Sequence, residues 1–113
     1  MDTHNLHLNS GPFEMIKSGQ KSIEMRLFDE KRQLIKVGDY IIFDNRTTNE
    51  TLKTKVVALH KFPSFKQLYD RFDKTVLGYK TNEHADCKDM EQYYTKEEQN
   101  KYGVVGIEIN LIK

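Results

Sequence analysis

Three ionisable side chains, Lys21, Glu24 and Arg26, lie close together in the stretch SGQKSIEMRL at residues 18–27. A lysine and an arginine together offer hydrogen-bond donors to phosphate or carbonyl oxygens. The carboxylate between them can accept from a base amine or act as a general base. The three residue types therefore indicate either a ligand site or a cross-strand ion pair on an exposed sheet, which would contribute little to stability.

The element that carries these side chains is predicted to be a β-strand. Residues 21–27 alternate between apolar and polar types, which puts Glu24 and Arg26 on one face of the strand. Lys21 has the opposite parity. It can join the other two only if a turn at Gly19–Gln20 brings its side chain round.

The remaining elements are predicted from periodicity and capping residues. Further strands are predicted at 5–9, 40–44, 52–62 and 104–112, and short helices at 10–19, 64–72 and 95–103. The second and third strands in this list should form a hairpin across the turn 45–51. No regular βαβ alternation is present, so the pattern favours an α+β domain or a small barrel with mostly antiparallel strands.

Capping residues give these helices defined starts. Ser10 or Gly11 is predicted to cap the first helix and Ser64 the second, while Thr95 and Glu98 predict a capping box on the third.

Aromatic residues are concentrated in the second half of the chain. Their spacing predicts a core role for four of them, Phe62, Phe65, Tyr69 and Phe72. Tyr93 and Tyr94 could stack on a base or pack the start of the third helix against the core. Residues 73–92 are polar and are not assigned to an element.

Composition narrows the classes of function. The 113 residues predict one domain, and a net charge of +1 argues against a strong binder of long polyanions. The charge is uneven: residues 17–36 sum to +3 and residues 83–98 to −4. Such asymmetry indicates a local site for an anionic ligand, or simply a solvated face.

No secretory signal or long apolar run is recognised, so a cytoplasmic protein without a membrane association is the default prediction. Cys87 is the single cysteine, which leaves no internal disulfide. His84 and Cys87 resemble half of a zinc site, but no second pair follows at ligand spacing. We therefore predict no metal and no cofactor.

The signature G-x-K-x-x-E-x-R is satisfied by GQKSIEMR, which resembles the ASCH domain family (activating-signal-cointegrator homology, a PUA-like fold). The flanking stretches LHLNSGPFEMIKSGQK, RLFDEKRQLIKVGDYIIF and YGVVGIEINLI are similar to the family's opening, second and closing segments. The resemblance implies a single domain over 1–113: a PUA-like β-barrel of about five to six strands with about three short helices.

The resemblance also implies a cleft between barrel and helices, with Gly19 making the turn, Lys21 and Glu24 inside, and Arg26 beside them. The loop that follows could widen this cleft or carry ordinary surface charges; its residues in question are Asp29, Lys31 and Arg32. Family members are expected to bind RNA or nucleotide-like ligands. The resulting hypothesis is an RNA- or nucleotide-binding protein that uses this cleft, with Tyr94 as a stacking residue.

The alternative is a small hydrolase at the same cleft, with Lys21 and Glu24 catalytic. The acetylcytidine amidohydrolase branch carries a threonine nucleophile where this chain has Glu24, so acyl transfer is poorly supported. Glu91 would correspond only loosely to that branch's later acid. A ribonuclease would instead use Glu24 as base, with Lys21 and Arg26 stabilising the developing phosphorane charge.

Overall fold

A five-stranded mixed sheet, curled into a half-barrel, forms the body of the protein. The computed structural model describes all residues, 1–113. The strands are β1 (Thr3–Leu8), β2 (Ile23–Leu27), β3 (Tyr40–Asn45), β4 (Thr51–Phe62) and β5 (Val104–Leu111). The helices are α1 (Ser10–Lys17), α2 (Phe65–Arg71) and α3 (Lys96–Tyr102), with 3-10 turns at Arg32–Leu34 and Cys87–Gln92. The predicted α+β fold class is confirmed.

The strands follow the order β1-β3-β4-β5-β2, so β1 and β2 are the two edges of the sheet. β1 is parallel to β3, and the other three pairings are antiparallel. The predicted hairpin of β3 and β4 is present. Helix α1 connects the two edge strands in the chain and packs against β1 and β3.

Alternation along the strands divides the apolar residues between two cores. One core packs α1 against the sheet and includes Phe13, Phe43 and Ile107. The other packs α2 and the 3-10 turn at Cys87–Gln92 against β2, through residues such as Phe65 and Leu68. The first core thus fixes α1 on the sheet, and the second core fixes α2 and the 3-10 turn beside β2.

The helix caps are partly as predicted. Ser64 Oγ accepts from the Gln67 amide, and Thr95 and Glu98 form the predicted capping box. The prediction for α1 was wrong, because Asn9 is its N-cap residue and makes no side-chain cap bond. Ser10 Oγ instead donates to Asn45 Oδ1 at 3.1 Å, which ties α1 to the end of β3.

Residues 73–92, unassigned from sequence, run alongside the outer edge of β2 as turns and a 3-10 segment. The Val76 carbonyl accepts from the amides of Ser22 and Ile23, both at 3.1 Å. The Gln20 side chain donates to the Tyr79 carbonyl at 3.0 Å. These bonds hold the segment beside the residues that precede β2.

Two further findings concern the chain as a whole. None of its helices is both long enough and apolar enough to cross a membrane. No group of three or more His, Cys, Asp or Glu side chains is arranged to hold a metal ion.

Candidate functional site

The turn after α1 aims Lys21 at the strand it precedes. Gly19 has a φ of +88°, a backbone conformation that glycine adopts readily. The Lys21 amide then donates back to the Met15 carbonyl at 3.0 Å. Because β2 begins only at Ile23, strand parity does not govern the direction of the Lys21 side chain.

The three ionic side chains converge on one carboxylate. Glu24 Oε1 lies 3.0 Å from Lys21 Nζ, and Glu24 Oε2 accepts from Arg26 Nε at 2.8 Å and lies 2.7 Å from its Nη2. The side chain of Glu24 is 5% exposed, that of Lys21 7% and that of Arg26 12%. This burial excludes the alternative of an exposed surface ion pair.

The opposite charges in this cluster shift the pKa values of Glu24 and Arg26 so that both ionised forms are favoured. Burial alone would raise the pKa of Glu24, but the charges of Lys21 and Arg26 outweigh it and hold the pKa below its usual range. Burial alone would lower the pKa of Arg26, but the Glu24 carboxylate outweighs it and leaves the pKa raised. Glu24 and Arg26 therefore both stay ionised at neutral pH.

Arg26 also spans the gap between the two edge strands. Its Nη2 donates to the His7 carbonyl of β1 at 2.9 Å, whereas Arg26 itself belongs to β2. No strand pairing joins β1 to β2. We call this gap, bridged by Arg26 and His7, the seam of the half-barrel.

Gly78 packs directly on the Lys21 side chain. A Cβ atom at Gly78 would lie 3.1 Å from Lys21 Cδ, and the residue has a φ of +106°. Residues 73–92 thus pack against the Lys21 side chain through Gly78.

The cluster forms part of the lining of a cleft of about 700 Å³. This volume lies in the range of ligand pockets, roughly 300–1,000 Å³. The lining includes five basic and three acidic side chains, so the cleft is more positive than the protein as a whole. The basic residues are Lys21, Arg26, Arg32, Arg46 and Lys80, and the acidic residues are Glu24, Glu83 and Asp89.

The loop after β2 contributes only one of its three candidates to the cleft. Arg32 lines it, with its Nη1 held by Asp29 Oδ2 at 2.8 Å. Asp29 therefore positions Arg32 and is not among the lining residues. Lys31 is exposed and also lies outside the lining.

Of the residues from the stretch 91–94 that the sequence suggested, the two tyrosines line the cleft and Glu91 does not. Tyr94 lines the cleft, and its ring stacks on Phe65 with centroids 6.1 Å apart, so it also packs on the core. Tyr93 lines the cleft and is 52% exposed. Glu91 lies outside the lining and pairs with Lys96 at 3.6 Å, so its correspondence to a catalytic acid finds no geometric support.

Several lining residues had no signal in the sequence. Arg46 lies just after β3, and Lys80, Glu83 and Asp89 come from the unassigned segment. Tyr69, predicted to be core, is half-buried against the second core and also lines the cleft. Helical spacing identifies the inward side of α2 and does not separate the core from a cleft wall that lies beside it.

A curled, mixed five-stranded sheet with a positively lined cleft between sheet and helices defines a PUA-like fold. The ASCH domain model matches residues 6–113, and the chain belongs to the ASCH domain family. This family is part of the PUA-like superfamily of RNA-binding domains.

Two solved structures share the fold over nearly their whole length. The crystal structure of the hypothetical protein PH0355 is 35% identical, with a TM-score of 0.83, and the match covers 97% of this chain and 99% of that chain. The solution NMR structure of protein PF0455 from Pyrococcus furiosus is 32% identical, with a TM-score of 0.71, and the match covers 98% of each chain. No protein with a curated description matches the chain.

Proposed function

We propose that this ASCH domain binds RNA or a nucleotide in the cleft lined by Lys21, Glu24 and Arg26. The observation that carries the proposal is the buried ion cluster in the cleft wall. Glu24 orients two cations that would otherwise be flexible, and an oriented cation loses less freedom when it binds a phosphate or carbonyl oxygen.

Both cations keep donors for a ligand. Glu24 and the His7 carbonyl engage Arg26 through Nε and Nη2 and leave Nη1 unengaged by them. The Lys21 ammonium has three N–H donors, and the hydrogen bond to Glu24 uses one of them. Arg32 and Arg46 add positive charge for a phosphate, and Tyr93 and Tyr94 offer rings for base stacking.

The same geometry favours binding over hydrolysis. A general base works best with a pKa near the operating pH, whereas the pKa of Glu24 is held below its usual range by its two cationic neighbours, which outweigh the effect of burial. No Ser, Thr or Cys is among the lining residues, so the cleft offers none of the usual acyl-transfer nucleophiles. Release of acetate from acetylcytidine, or cleavage of RNA, by the purified protein would contradict this assignment.

The direct test measures the affinity for short single-stranded RNA oligonucleotides and nucleoside monophosphates at several salt concentrations. Arg26→Ala should weaken binding and reduce the salt slope by about 0.7, the value for one phosphate contact on a single strand. Arg26→Lys keeps a positive charge and should retain most of the slope. Arg71→Ala is the matched control, because Arg71 is exposed and lies outside the cleft.

Circular dichroism and thermal melts establish that each variant is folded before its affinity is compared. Equal affinity and equal salt slope for folded Arg26→Ala and the wild type would contradict the proposal.

A further inference from the structure

A chain of three hydrogen-bonding groups runs along the cleft wall that residues 69–89 build. The Tyr69 and Tyr79 hydroxyls lie 2.8 Å apart, and the Tyr79 hydroxyl lies 2.7 Å from Asp89 Oδ2. All three residues line the cleft. Gly78, which precedes Tyr79, packs on the Lys21 side chain, so the segment that carries Tyr79 and Asp89 borders the same cleft as the ion cluster.

The direction of donation along this chain is fixed. A carboxylate only accepts hydrogen bonds, so the single hydroxyl proton of Tyr79 goes to Asp89. The Asp86 carbonyl, 3.4 Å from the Tyr79 hydroxyl, is also only an acceptor, so donation to it would equally direct the Tyr79 proton away from Tyr69. The Tyr79 oxygen must then accept from Tyr69, which uses the proton of Tyr69 as well.

Both hydroxyls keep their protons at neutral pH. Burial raises the pKa of Tyr69 to about 12. Burial, followed by the hydrogen bond to Asp89, raises the pKa of Tyr79 as well. Neither tyrosine therefore ionises in a way that would change the direction of donation.

The cleft is thus divided by hydrogen-bonding type. The wall formed by Tyr69, Tyr79 and Asp89 has no free proton and offers only oxygen lone pairs. On the other side, Lys21 and Arg26 present donors around the Glu24 carboxylate, whose two oxygens they already engage. A ligand that fills both parts needs acceptors at one end and a donor at the other, because an acceptor facing the tyrosine wall would be desolvated without a partner.

Resting on the proposed function, we infer that the cleft selects nucleotides whose base carries an exocyclic amine directed at Tyr69, Tyr79 and Asp89. Bases with a carbonyl oxygen at that position are discriminated against. The acceptors of the same ligand, on its base or phosphate, face Lys21 and Arg26.

Two pairs of nucleotides test this selection, because within each pair the exocyclic amine is replaced by a carbonyl oxygen and the adjacent ring nitrogen changes from an acceptor to an N–H donor. CMP should bind tighter than UMP, and AMP tighter than IMP, each by about tenfold, as measured by isothermal titration calorimetry. Equal affinities within both pairs, or preference for UMP and IMP, would overturn the inference.

Two substitutions connect the selection to the wall. Tyr79→Phe frees the Tyr69 proton, and Asp89→Asn introduces an amide donor, so each should reduce the preference for the amine to about twofold or less. Tyr40→Phe is the matched control, since Tyr40 lies on β3 outside the cleft, and it should retain the full preference. Full preference in both folded wall variants would also overturn the inference.

The outcomes separate the two proposals. Binding of all four nucleotides without discrimination contradicts only the selection and leaves nucleotide binding intact. If neither the nucleotides nor short RNA binds the folded wild type, both proposals are contradicted.

Discussion

Glu24 accepts from Lys21 and Arg26 through different oxygens, so each of its two oxygens is held by a separate cation. Loss of the carboxylate would leave two cations buried together with no counter-charge. Loss of either cation would leave a neutral pair but would remove the partner of one buried Glu24 oxygen. The cluster is therefore sensitive to isosteric substitution at its centre.

Glu24→Gln should lower the free energy of unfolding by about 3–5 kcal/mol, because it removes one partner of a buried ion pair. Urea unfolding monitored by circular dichroism measures the change. Glu108→Gln is the control, since Glu108 pairs with His60 at 2.9 Å but its side chain is 41% exposed. It should cost less than about 1 kcal/mol.

The pH dependence of the free energy of unfolding provides a second test of the role of Glu24. Because the folded-state pKa of Glu24 is lowered by its cationic partners against the opposing effect of burial, its contribution is present at neutral pH. It is lost as the pH falls from the ordinary glutamate pKa through the folded-state value. The stability difference between wild type and Glu24→Gln should therefore shrink on acidification, and a difference that stays constant would contradict this account.

Among the elements of the fold, segment 73–92 supplies the part of the cleft wall that packs against Lys21. Its carbonyl at Val76 accepts from two amides at the start of β2, and Gly78 closes on the lysine side chain. Leu77 and Met90, 2% and 6% exposed, anchor the segment in the second core. A polar stretch without regular structure is thus held in place at both ends.

Gly78→Ala and Gly38→Ala form a matched pair for testing this wall. Both glycines have positive φ, so each substitution should cost about 1–2 kcal/mol of stability. Only at Gly78 does the new methyl group meet Lys21, at 3.1 Å; nothing lies within 4 Å of the Cβ position at Gly38, which is outside the cleft lining. Gly78→Ala should therefore weaken nucleotide affinity about tenfold, and Gly38→Ala should leave it nearly unchanged.

Affinity by calorimetry and stability by urea unfolding, measured on both variants, separate the steric effect from backbone strain. Equal loss of affinity in both would show that strain alone explains the result.

The elements differ in how far the sequence predicts them. The strands, the three helices and the caps at Ser64 and Thr95 follow from local periodicity and hydrogen bonding, and the structure confirms them. The wall of the cleft depends on bonds between distant residues, such as that between Gln20 and Tyr79. Such long-range bonds leave no periodic pattern, which is why the sequence does not predict that Tyr69 and Asp89 line the cleft.

At the scale of the whole molecule, charge limits the kind of nucleic acid that the cleft suits. The net charge is +1, and the excess of basic residues is concentrated at the cleft instead of spread over a face. Long duplexes are usually bound by a broad basic surface. For the proposed function, this charge distribution favours one nucleotide or a short single strand as the ligand.

A single-stranded RNA hexamer should therefore bind at least about tenfold tighter than a 12-base-pair RNA duplex at the same salt concentration, as measured by fluorescence anisotropy. Lys66→Ala, on the exposed face of α2, should not change the ratio. Tighter binding of the duplex would indicate a different surface from the cleft.

The seam has a mechanical consequence for this half-barrel. Around the rest of the sheet, ladders of backbone hydrogen bonds fix the spacing between neighbouring strands. Between β1 and β2, a single arginine side chain reaches one carbonyl. At this one boundary of the half-barrel, a side-chain hydrogen bond from Arg26 stands where every other neighbouring pair of strands has a ladder of backbone bonds. The spacing of the two edge strands is therefore tied to the same arginine that belongs to the ion cluster.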